Sequence, residues 1–266
     1  MDFSGNGTPI TGTGMAKVCD TLDVGEPEIW AVLTVETRGF GYLADRRPQI
    51  LFERHWFSRL TDRRFDAAHP NISNRTPGGY KGGAAEYGRL AQALALDEDA
   101  ALSSASWGLP QIMGFNHQAA GYASAKAMVE ALVESEDNQL AALGAFISAN
   151  SKMLRAIRQH DWASFAAAYN GPNFRKNHYD TRLAAAFAKN KTMIPDLGLR
   201  AAQVALTYLG IDPGPVDGLP GRRTSGALDD FQSEEGLPVT GILDEETDQR
   251  LKAKAFGTAA KAMAPA

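Results

Sequence analysis

Short amphipathic helical patterns, separated by turns rich in glycine and proline, make up most of the chain. Apolar residues recur every three or four positions in segments that begin near residues 15, 26, 84, 125 and 136. This spacing is typical of helices with one buried face. The segment "EPEIWAVLTVETRG" has a proline in its first turn and Gly39 just beyond its last, as helix boundaries favour. The pattern predicts a mainly α protein.

One acidic residue, Glu36, interrupts the apolar pattern. It stands four and three positions after Val32 and Leu33, so it shares their helix face and extends a stripe where water is scarce. The C-terminal end of a helix also carries partial negative charge, which disfavours a carboxylate. Arg38 acts in the opposite direction if its guanidinium comes close. The alternative for Glu36 is an ordinary ion pair at a helix end, with Arg38 or Arg54.

The segments between the helices are less regular. "QILFERHWF" is the one compact apolar run within residues 40–83, and it predicts the start of a strand. "NISNRTPGGYKGGAAEY" and "SWGLPQIMGFNHQAAGY" are interrupted by glycine and proline and predict loops. Serine stands at the N-cap position before the helical patterns near residues 125 and 136, and Asp161 does so before a later one.

A short linker, "KTMIPDLG", divides the chain into a large and a small unit. Three further helical patterns, alternating with turn signals, follow it. The Gly/Thr/Ser/Asn-rich start predicts a flexible N-terminal tail. The predicted organisation is therefore a tail at 1–14, a first domain at 15–190, a linker at 191–198, a small domain at 199–254 and a C-terminal tail at 255–266.

Composition excludes several classes of function. A net charge of −4 and an isoelectric point near 5.8 do not suit a nucleic-acid-binding domain, which is usually strongly basic. No apolar run approaches the roughly 18 residues that span a bilayer, and the N-terminus has no signal-peptide pattern. The single cysteine, Cys19, excludes an internal disulfide and is expected to be a small buried residue. The five histidines lack metal-ligand spacing, so we expect no metal and no cofactor.

Several motifs follow one another in the C-terminal unit: "AAQVALTYLG", "GPVDGLPGRRTSGALDDFQ", "GLPVTG" and "ETDQRL". In this order they resemble the small three-helix peptidoglycan-binding domain that accompanies many cell-wall hydrolases, over about residues 199–252. Asp217 is expected to begin a turn, Thr224 to cap the next helix and Phe231 to pack on its apolar face. The rim of the ligand groove is expected in the loop from Asp217 to Arg223.

Short motifs also occur in a fixed order in the first domain: "VETRGFGY", "FERHWF", "SASWGLPQIMGFN", "AAAYNGP" and "NHYD". They resemble the lysozyme-like superfamily and, within it, the phage-type N-acetylmuramidase family of endolysins, over roughly residues 15–188. The resemblance implies a lysozyme-like α domain with a small β or loop subregion. It also implies hydrolysis of the β-1,4 bond between N-acetylmuramic acid and N-acetylglucosamine in peptidoglycan, with Glu36 as the catalytic acid.

This chemistry explains why an acid would stand on an apolar helix face. Cleavage of a glycosidic bond needs a proton for the leaving oxygen, and a carboxyl group supplies it near neutral pH only if its pKa is raised by desolvation. Glu53 is the first choice for a second carboxylate, either as base for the attacking water or as a stabiliser of the cationic sugar. An ion pair with an arginine is the alternative for Glu53, and Asp45 is a third candidate. Some members of the superfamily use one essential acid.

The other motif residues are expected to line the sugar groove: Ser106, Trp107, Gln111, Asn116, Tyr169 and Asn170. Trp107 suits stacking on a pyranose ring, with a core aromatic as the alternative, and Gln111 suits a hydrogen bond to an acetamido group. Asn170 also fits a helix C-cap. Pro110 departs from the Met or Phe that is usual in this segment of the superfamily.

The leading hypothesis is a modular endolysin that acts as a monomer on peptidoglycan glycan strands, with no nucleic-acid or membrane partner. The resemblance implies synthesis in a host bacterial cytoplasm, release by a holin and action on the cell wall in the periplasm. One alternative is a lytic transglycosylase, which protonates the same oxygen but closes a 1,6-anhydro ring. The other is a non-catalytic wall-binding or structural protein, which needs no acid at position 36.

Overall fold

A computed structural model describes residues 3–37 and 39–257 of the chain. Within them the protein is mainly α-helical with one small antiparallel sheet, as the hydrophobic pattern predicts. The predictions about Arg38 and about residues 258–266 of the C-terminal tail lie outside the described residues. No helix of the described residues is both long and apolar enough to cross a membrane.

Ten helices of the described residues belong to the first domain: α1 (Gly12–Leu22), α2 (Glu26–Thr37), α3 (Arg54–Leu60), α4 (Glu86–Leu94), α5 (Glu98–Ser103), α6 (Ala125–Glu134), α7 (Glu136–Ser148), α8 (Ser151–Arg158), α9 (Trp162–Tyr169) and α10 (Tyr179–Asn190). Three helices form the small domain: α11 (Leu197–Tyr208), α12 (Arg222–Glu235) and α13 (Glu245–Phe256). The strands are β1 (Ile50–Phe52), β2 (Ala105–Trp107) and β3 (Ile112–Met113), which pair antiparallel in the order β1-β2-β3.

The predicted loop "SWGLPQIMGFNHQAAGY" contains a small hairpin made of β2 and β3. Ser106 lies opposite Met113 in this hairpin, and Trp107 lies opposite Ile112. The connecting turn places Gly108 in the left-handed region of backbone conformation, at a φ of 65°. The glycine that suggested a loop thus makes the tight turn between two short strands.

Helix ends follow the sequence signals. Ser124 accepts a hydrogen bond from the backbone N–H of Ala127, and Ser135 accepts one from Asn138, so both serines cap their helices as predicted. Asp161 caps α9 in the same way. α2, in contrast, packs between α1 and α10 and is buried on nearly all sides. Its buried residues extend beyond the apolar stripe that the sequence predicts.

The predicted flexible tail at residues 1–14 is wrong for residues 3–14. Phe3 is buried with its ring 5.3 Å from Tyr87 and 5.5 Å from Trp107. The backbone N–H of Thr8 donates to the Glu134 carbonyl, and α1 already begins at Gly12. The buried side chains of Phe3 and Ile10, together with hydrogen bonds such as that from the Ile10 N–H to Glu136, hold this polar segment against the core.

Three residues of the small domain differ from their predicted places. α11 begins at Leu197, inside the predicted linker, and Phe256, in the predicted tail, is buried in the core of this domain. Gly221 occupies the N-cap position of α12 that was predicted for Thr224. Thr224 is buried, and its hydroxyl donates a hydrogen bond to the Pro213 carbonyl. This bond ties the first turn of α12 to the loop before it. Phe231 packs in the core as predicted.

The two domains share an apolar core. Phe40 and Tyr42, from the segment after α2, pack with the helices of the small domain. The Tyr208 hydroxyl donates to the Gly7 carbonyl at 2.8 Å, and the Arg46 guanidinium lies 4.3 Å from the centre of the Tyr208 ring. The segment that follows Glu36 therefore lies at the boundary between the two domains.

Candidate active site

Glu36 lies in the last turn of α2, where the helix leaves the core of the first domain. Val32 and Leu33, one turn earlier, are fully buried, whereas Glu36 is half-buried. The Asn170 side-chain amide, at the end of α9, donates a hydrogen bond of 2.8 Å to Glu36 Oε1. Two helix ends that are far apart in the chain thus bring an acid and an amide together.

Burial governs the protonation of Glu36. It raises the pKa of the carboxyl group to about 7, although the Asn170 hydrogen bond and the positive charge of Arg182 both lower it. Arg182 lies close because its guanidinium donates to the Val35 carbonyl at 3.0 Å. Near neutral pH the group can therefore hold a proton or release it.

Two tyrosines lie near the same carboxyl group. Burial raises the pKa of Tyr169 well above its usual value, and the charge of Glu36 adds to the shift. The same two causes raise the pKa of Tyr179. The Tyr169 hydroxyl donates to the Pro110 carbonyl at 2.6 Å, so it joins α9 to the turn between β2 and β3. Tyr169 is thus a neutral hydrogen-bond donor that holds the end of α9 in position near Glu36.

A cavity of about 790 Å³ opens beside Glu36. Phe40, Ala44 and Gln49 line it from the first domain. The small domain lines the other side with residues of the segment 207–216 and with Arg223. Cavities of this size hold small ligands or a short stretch of a polymer. The predicted site residues Glu36 and Arg223 therefore lie in one cavity although they belong to different domains.

Ser106 and Gln111 form a polar network behind this cavity. The Ser106 hydroxyl donates to Gln111 Oε1 at 2.8 Å, and Gln111 Nε2 donates to the carbonyls of Gly108 and Gln49. Gln49 itself donates to the Phe40 carbonyl at 2.8 Å. Both atoms of the Gln111 amide are thus occupied within the protein, and the network orients Gln49, which sequence reasoning did not identify.

Trp107 is not available to a sugar, so its predicted role in ring stacking is wrong. Its side chain is fully buried and its indole N–H donates to the Leu102 carbonyl at 3.0 Å. Packing against Phe3 covers the ring. The core-aromatic alternative is the one that the structure supports. Asn116 lies half-buried in a short 3₁₀ turn, Gly114–Asn116, outside the described lining of the Glu36 cavity.

Glu53 lies outside the described lining of the Glu36 cavity. Its two carboxylate oxygens accept hydrogen bonds of 3.0 and 2.9 Å from the Tyr80 hydroxyl, and His55 Nδ1 lies 3.0 Å from Oε2. Asp45, the third candidate, pairs with Arg47, whose hydrogen bonds lower the pKa of Asp45. Both acids have partners of their own.

In the small domain, Asp217 closes a turn by accepting a hydrogen bond of 3.0 Å from the Leu219 N–H. Arg223 forms an exposed ion pair with Asp212, and both residues line the cavity. The described residues contain no group of His, Cys, Asp and Glu side chains that could hold a metal ion.

Comparisons with known proteins agree on both domains. A family model described as N-acetylmuramidase matches residues 26–191, and one described as a putative peptidoglycan-binding domain matches residues 196–251. The crystal structure of the Burkholderia AP3 phage endolysin is 41% identical with a TM-score of 0.63, over 68% of this chain and 70% of that one. A comparison with curated proteins finds no match.

Proposed function

The chain belongs to the N-acetylmuramidase family, and on that premise we propose that Glu36 is the general acid with which it hydrolyses the β-1,4 bond between N-acetylmuramic acid and N-acetylglucosamine. The protein is a glycoside hydrolase with a peptidoglycan-binding domain. The observation that carries the proposal is the carboxyl group of Glu36, which burial keeps protonated up to about pH 7 in the wall of a cavity.

The surroundings of Glu36 suit both halves of a proton transfer. Before the reaction, burial favours the neutral acid, which can give its proton to the oxygen of the leaving sugar. After the transfer, the Asn170 hydrogen bond and the Arg182 charge stabilise the carboxylate that remains. The groups that oppose a raised pKa in the resting protein thus lower the energy of the ionised product of this step.

The predicted role of Glu53 as base or electrostatic stabiliser has less support. Its carboxylate contacts Tyr80 and His55. Glu53 is also not among the described residues that line the cavity beside Glu36. The proposal therefore assigns the essential proton transfer to Glu36 alone. A water molecule that enters the cavity then adds to the sugar cation and gives its proton to the Glu36 carboxylate, which restores the acid.

The test is the Glu36→Gln variant, which keeps the shape of the side chain and removes its proton. The loss of general acid catalysis is expected to lower the rate on purified sacculi by about 10²- to 10⁴-fold. Glu53→Gln is the matched control and is expected to lose less than tenfold. A Glu36→Gln variant that is folded by circular dichroism and as active as the wild type contradicts the proposal.

The products decide between hydrolysis and transglycosylation. Cleavage in H₂¹⁸O is expected to give reducing N-acetylmuramic acid ends that carry one labelled oxygen, measured by mass spectrometry of the muropeptides. Products that end mainly in 1,6-anhydro sugars without label contradict hydrolysis and support a lytic transglycosylase. A protein that binds sacculi but releases no fragments supports the non-catalytic alternative.

The similarity to a phage endolysin supports a role in host lysis. We expect a monomer that is made in the bacterial cytoplasm and reaches the wall when a holin opens the inner membrane. Expression without a holin is expected to leave cells intact, and chloroform permeabilisation of the membrane is then expected to cause rapid lysis. Lysis on expression alone, before permeabilisation, contradicts this route.

A further inference from the structure

The cavity beside Glu36 has a second wall that comes from the peptidoglycan-binding domain. Residues 210–216, which connect α11 to the loop before α12, line the cavity together with Arg223. A domain that only tethers the enzyme to its polymer has no need to face the catalytic acid. The small domain is thus part of the cavity in which the proposed reaction occurs.

A buried ion pair holds this wall in place. Arg200, on α11, is fully buried and its guanidinium donates to Glu136 of the first domain at 2.5 and 2.8 Å. Arg200 Nε also donates to the Gly39 carbonyl at 3.1 Å, three residues after Glu36. Separation of the domains would break these charge-assisted hydrogen bonds, whose geometry fits one arrangement of the two domains.

The backbone on both sides of the ion pair is fixed by the same carboxylate. Glu136 Oε1 accepts a hydrogen bond of 2.9 Å from the Gly41 N–H, and Oε2 accepts one of 3.1 Å from the Ile10 N–H. Arg200 and Glu136 therefore join α11 to the segment 39–41 that leads out of the Glu36 helix. The distance between the two walls of the cavity is set by this junction.

The wall is a proline-containing loop with one cationic group at its rim. Pro213 and Val216 are buried and anchor the loop, and Pro215 is exposed, so the loop has low flexibility. The Arg223 side chain is 64% exposed, and its ion pair with Asp212 is also exposed. An exposed pair is weak, so Arg223 can exchange Asp212 for another carboxylate.

We propose that the peptidoglycan-binding domain completes the substrate cleft, with residues 210–216 and Arg223 binding the same glycan strand that Glu36 cleaves. Arg223 binds a carboxylate of the peptide stem beside the scissile bond. Peptidoglycan supplies this group because its stems carry free carboxylates beyond the sugar ring. Strands without stems keep only the lactyl carboxylate, which lies directly on N-acetylmuramic acid. Binding and cleavage then take place on one stretch of polymer. This inference rests on the proposed function of Glu36.

The experiment compares Arg223→Ala with Arg222→Ala, a neighbouring exposed arginine of α12 that does not line the cavity. Steady-state kinetics use soluble glycan strands that carry their peptide stems and the same strands after an amidase has removed the stems. Arg223→Ala is expected to raise KM on stem-bearing strands about 5- to 20-fold, because a charge-assisted hydrogen bond is lost. Arg222→Ala is expected to match the wild type within twofold.

A second variant tests the same site in the opposite direction. Asp212→Asn keeps an oxygen for the Gly214 N–H, which donates to Asp212 Oδ1 at 2.9 Å, but removes the charge that competes for Arg223. It is expected to lower KM on stem-bearing strands about two- to fivefold. On stem-free strands, the KM values of the Arg223→Ala and Arg222→Ala variants are expected to agree.

Two results overturn the inference. One is an equal KM for the Arg223→Ala and Arg222→Ala variants on stem-bearing strands. The other is faster cleavage by Arg223→Ala on both kinds of strand, which would mean that the wall obstructs the cleft. Neither result affects the role of Glu36, because Glu36→Gln abolishes turnover on both substrates if the proposed function is correct. Full activity of Glu36→Gln overturns the proposed function instead.

Discussion

Glu36 and Glu86 are both glutamates removed from water in the same domain, but they differ in protonation. Burial by itself raises the pKa of Glu86. The N–H groups of Lys81 and Gly82 and the Arg89 guanidinium donate to its carboxylate, however, and their combined effect lowers the pKa below its usual value. Among the described residues, the side chain of Asn170 donates one hydrogen bond to Glu36, and burial raises the pKa of Glu36 to about 7.

The difference lies in the number of donors that face each carboxylate. The fully buried Glu86 accepts hydrogen bonds from four N–H groups, including that of Phe52 at 3.2 Å. Glu136 accepts hydrogen bonds from Arg200 and from two backbone N–H groups. The donors around Glu86 lower its pKa in spite of burial, whereas Glu36, with fewer described donors, has a raised pKa. The fold thus separates structural acids from the acid that is available for chemistry.

Removing the cation that pairs with the fully buried Glu136 is expected to have the largest effect. Arg200→Met leaves the charge of Glu136 buried with only backbone donors, so the free energy of unfolding is expected to fall by about 3–5 kcal/mol. Urea denaturation followed by circular dichroism measures the loss. The double variant with Glu136→Leu is expected to recover part of it. A single variant within 1 kcal/mol of the wild type would contradict the view that this pair joins the domains.

Glu86→Gln is expected to come next in size. Glutamine keeps one oxygen and replaces the other with an NH₂ group, so either the N–H groups of Lys81 and Gly82 or those of Phe52 and Arg89 face a donor instead of an acceptor. The expected loss of unfolding free energy is about 2–3 kcal/mol. Glu98→Gln, at an exposed position, is the matched control and should change stability little. Equal stability of both variants would show that donor number does not distinguish Glu86.

Glu36→Gln is expected to change stability in the opposite sense. The folded protein keeps the Glu36 proton up to about pH 7, while the unfolded chain releases it near the ordinary value of 4.5, so the stability of the wild type falls as pH rises between these values. Glutamine has no proton to lose, and above pH 7 the variant should be more stable by about 1–3 kcal/mol. Thermal unfolding at pH 4 and pH 8 checks this. A destabilised variant at pH 8 would contradict the raised pKa.

Asn170→Ala is expected to have the smallest effect. It removes the Asn170 hydrogen bond, which lowers the pKa of Glu36, so the decline of kcat/KM at alkaline pH is expected to move upward by about 0.5–1 pH unit. A pH profile on soluble glycan strands measures the shift, with Asn116→Ala as control. An unchanged profile, or a shift of the same size in the control, would mean that Asn170 does not act on Glu36.

Three predicted helix N-caps and the family predictions from motif order are correct, although the N-cap predicted at Thr224 is not. The N-caps Ser124, Ser135 and Asp161 depend on a side chain and an N–H three residues later, so they need no tertiary information. The order of short motifs indicated the muramidase and peptidoglycan-binding families, which the family comparisons confirm. The predicted fold class, mainly α with a small three-helix second domain, is confirmed as well.

The sequence-based predictions are wrong where the environment of a side chain depends on residues that are distant in the chain. Trp107 has the amphipathic character of a sugar-stacking residue, but Phe3, near the start of the chain, packs against its ring and covers it. The polar composition of the first residues predicts flexibility, but Phe3 and Ile10 are buried and the Ile10 N–H donates to Glu136, which lies far away in the chain. Nothing in the spacing of Arg200 or Gln49 marks them as part of the surroundings of Glu36, because their partners lie far away in the chain.

By itself the sequence determined the helices, their caps, the two families and the position of one acid at the end of an apolar helix, because each of these depends on neighbours within a few residues or on motif order. Only the tertiary structure decided that Asn170 and Arg182 reach Glu36, that Trp107 is core, and that Arg223 of the small domain lies across the cavity from Glu36. Burial and charge pairing are properties of surfaces brought together by folding. Their strength depends on the water and the donors that remain, which no local pattern records.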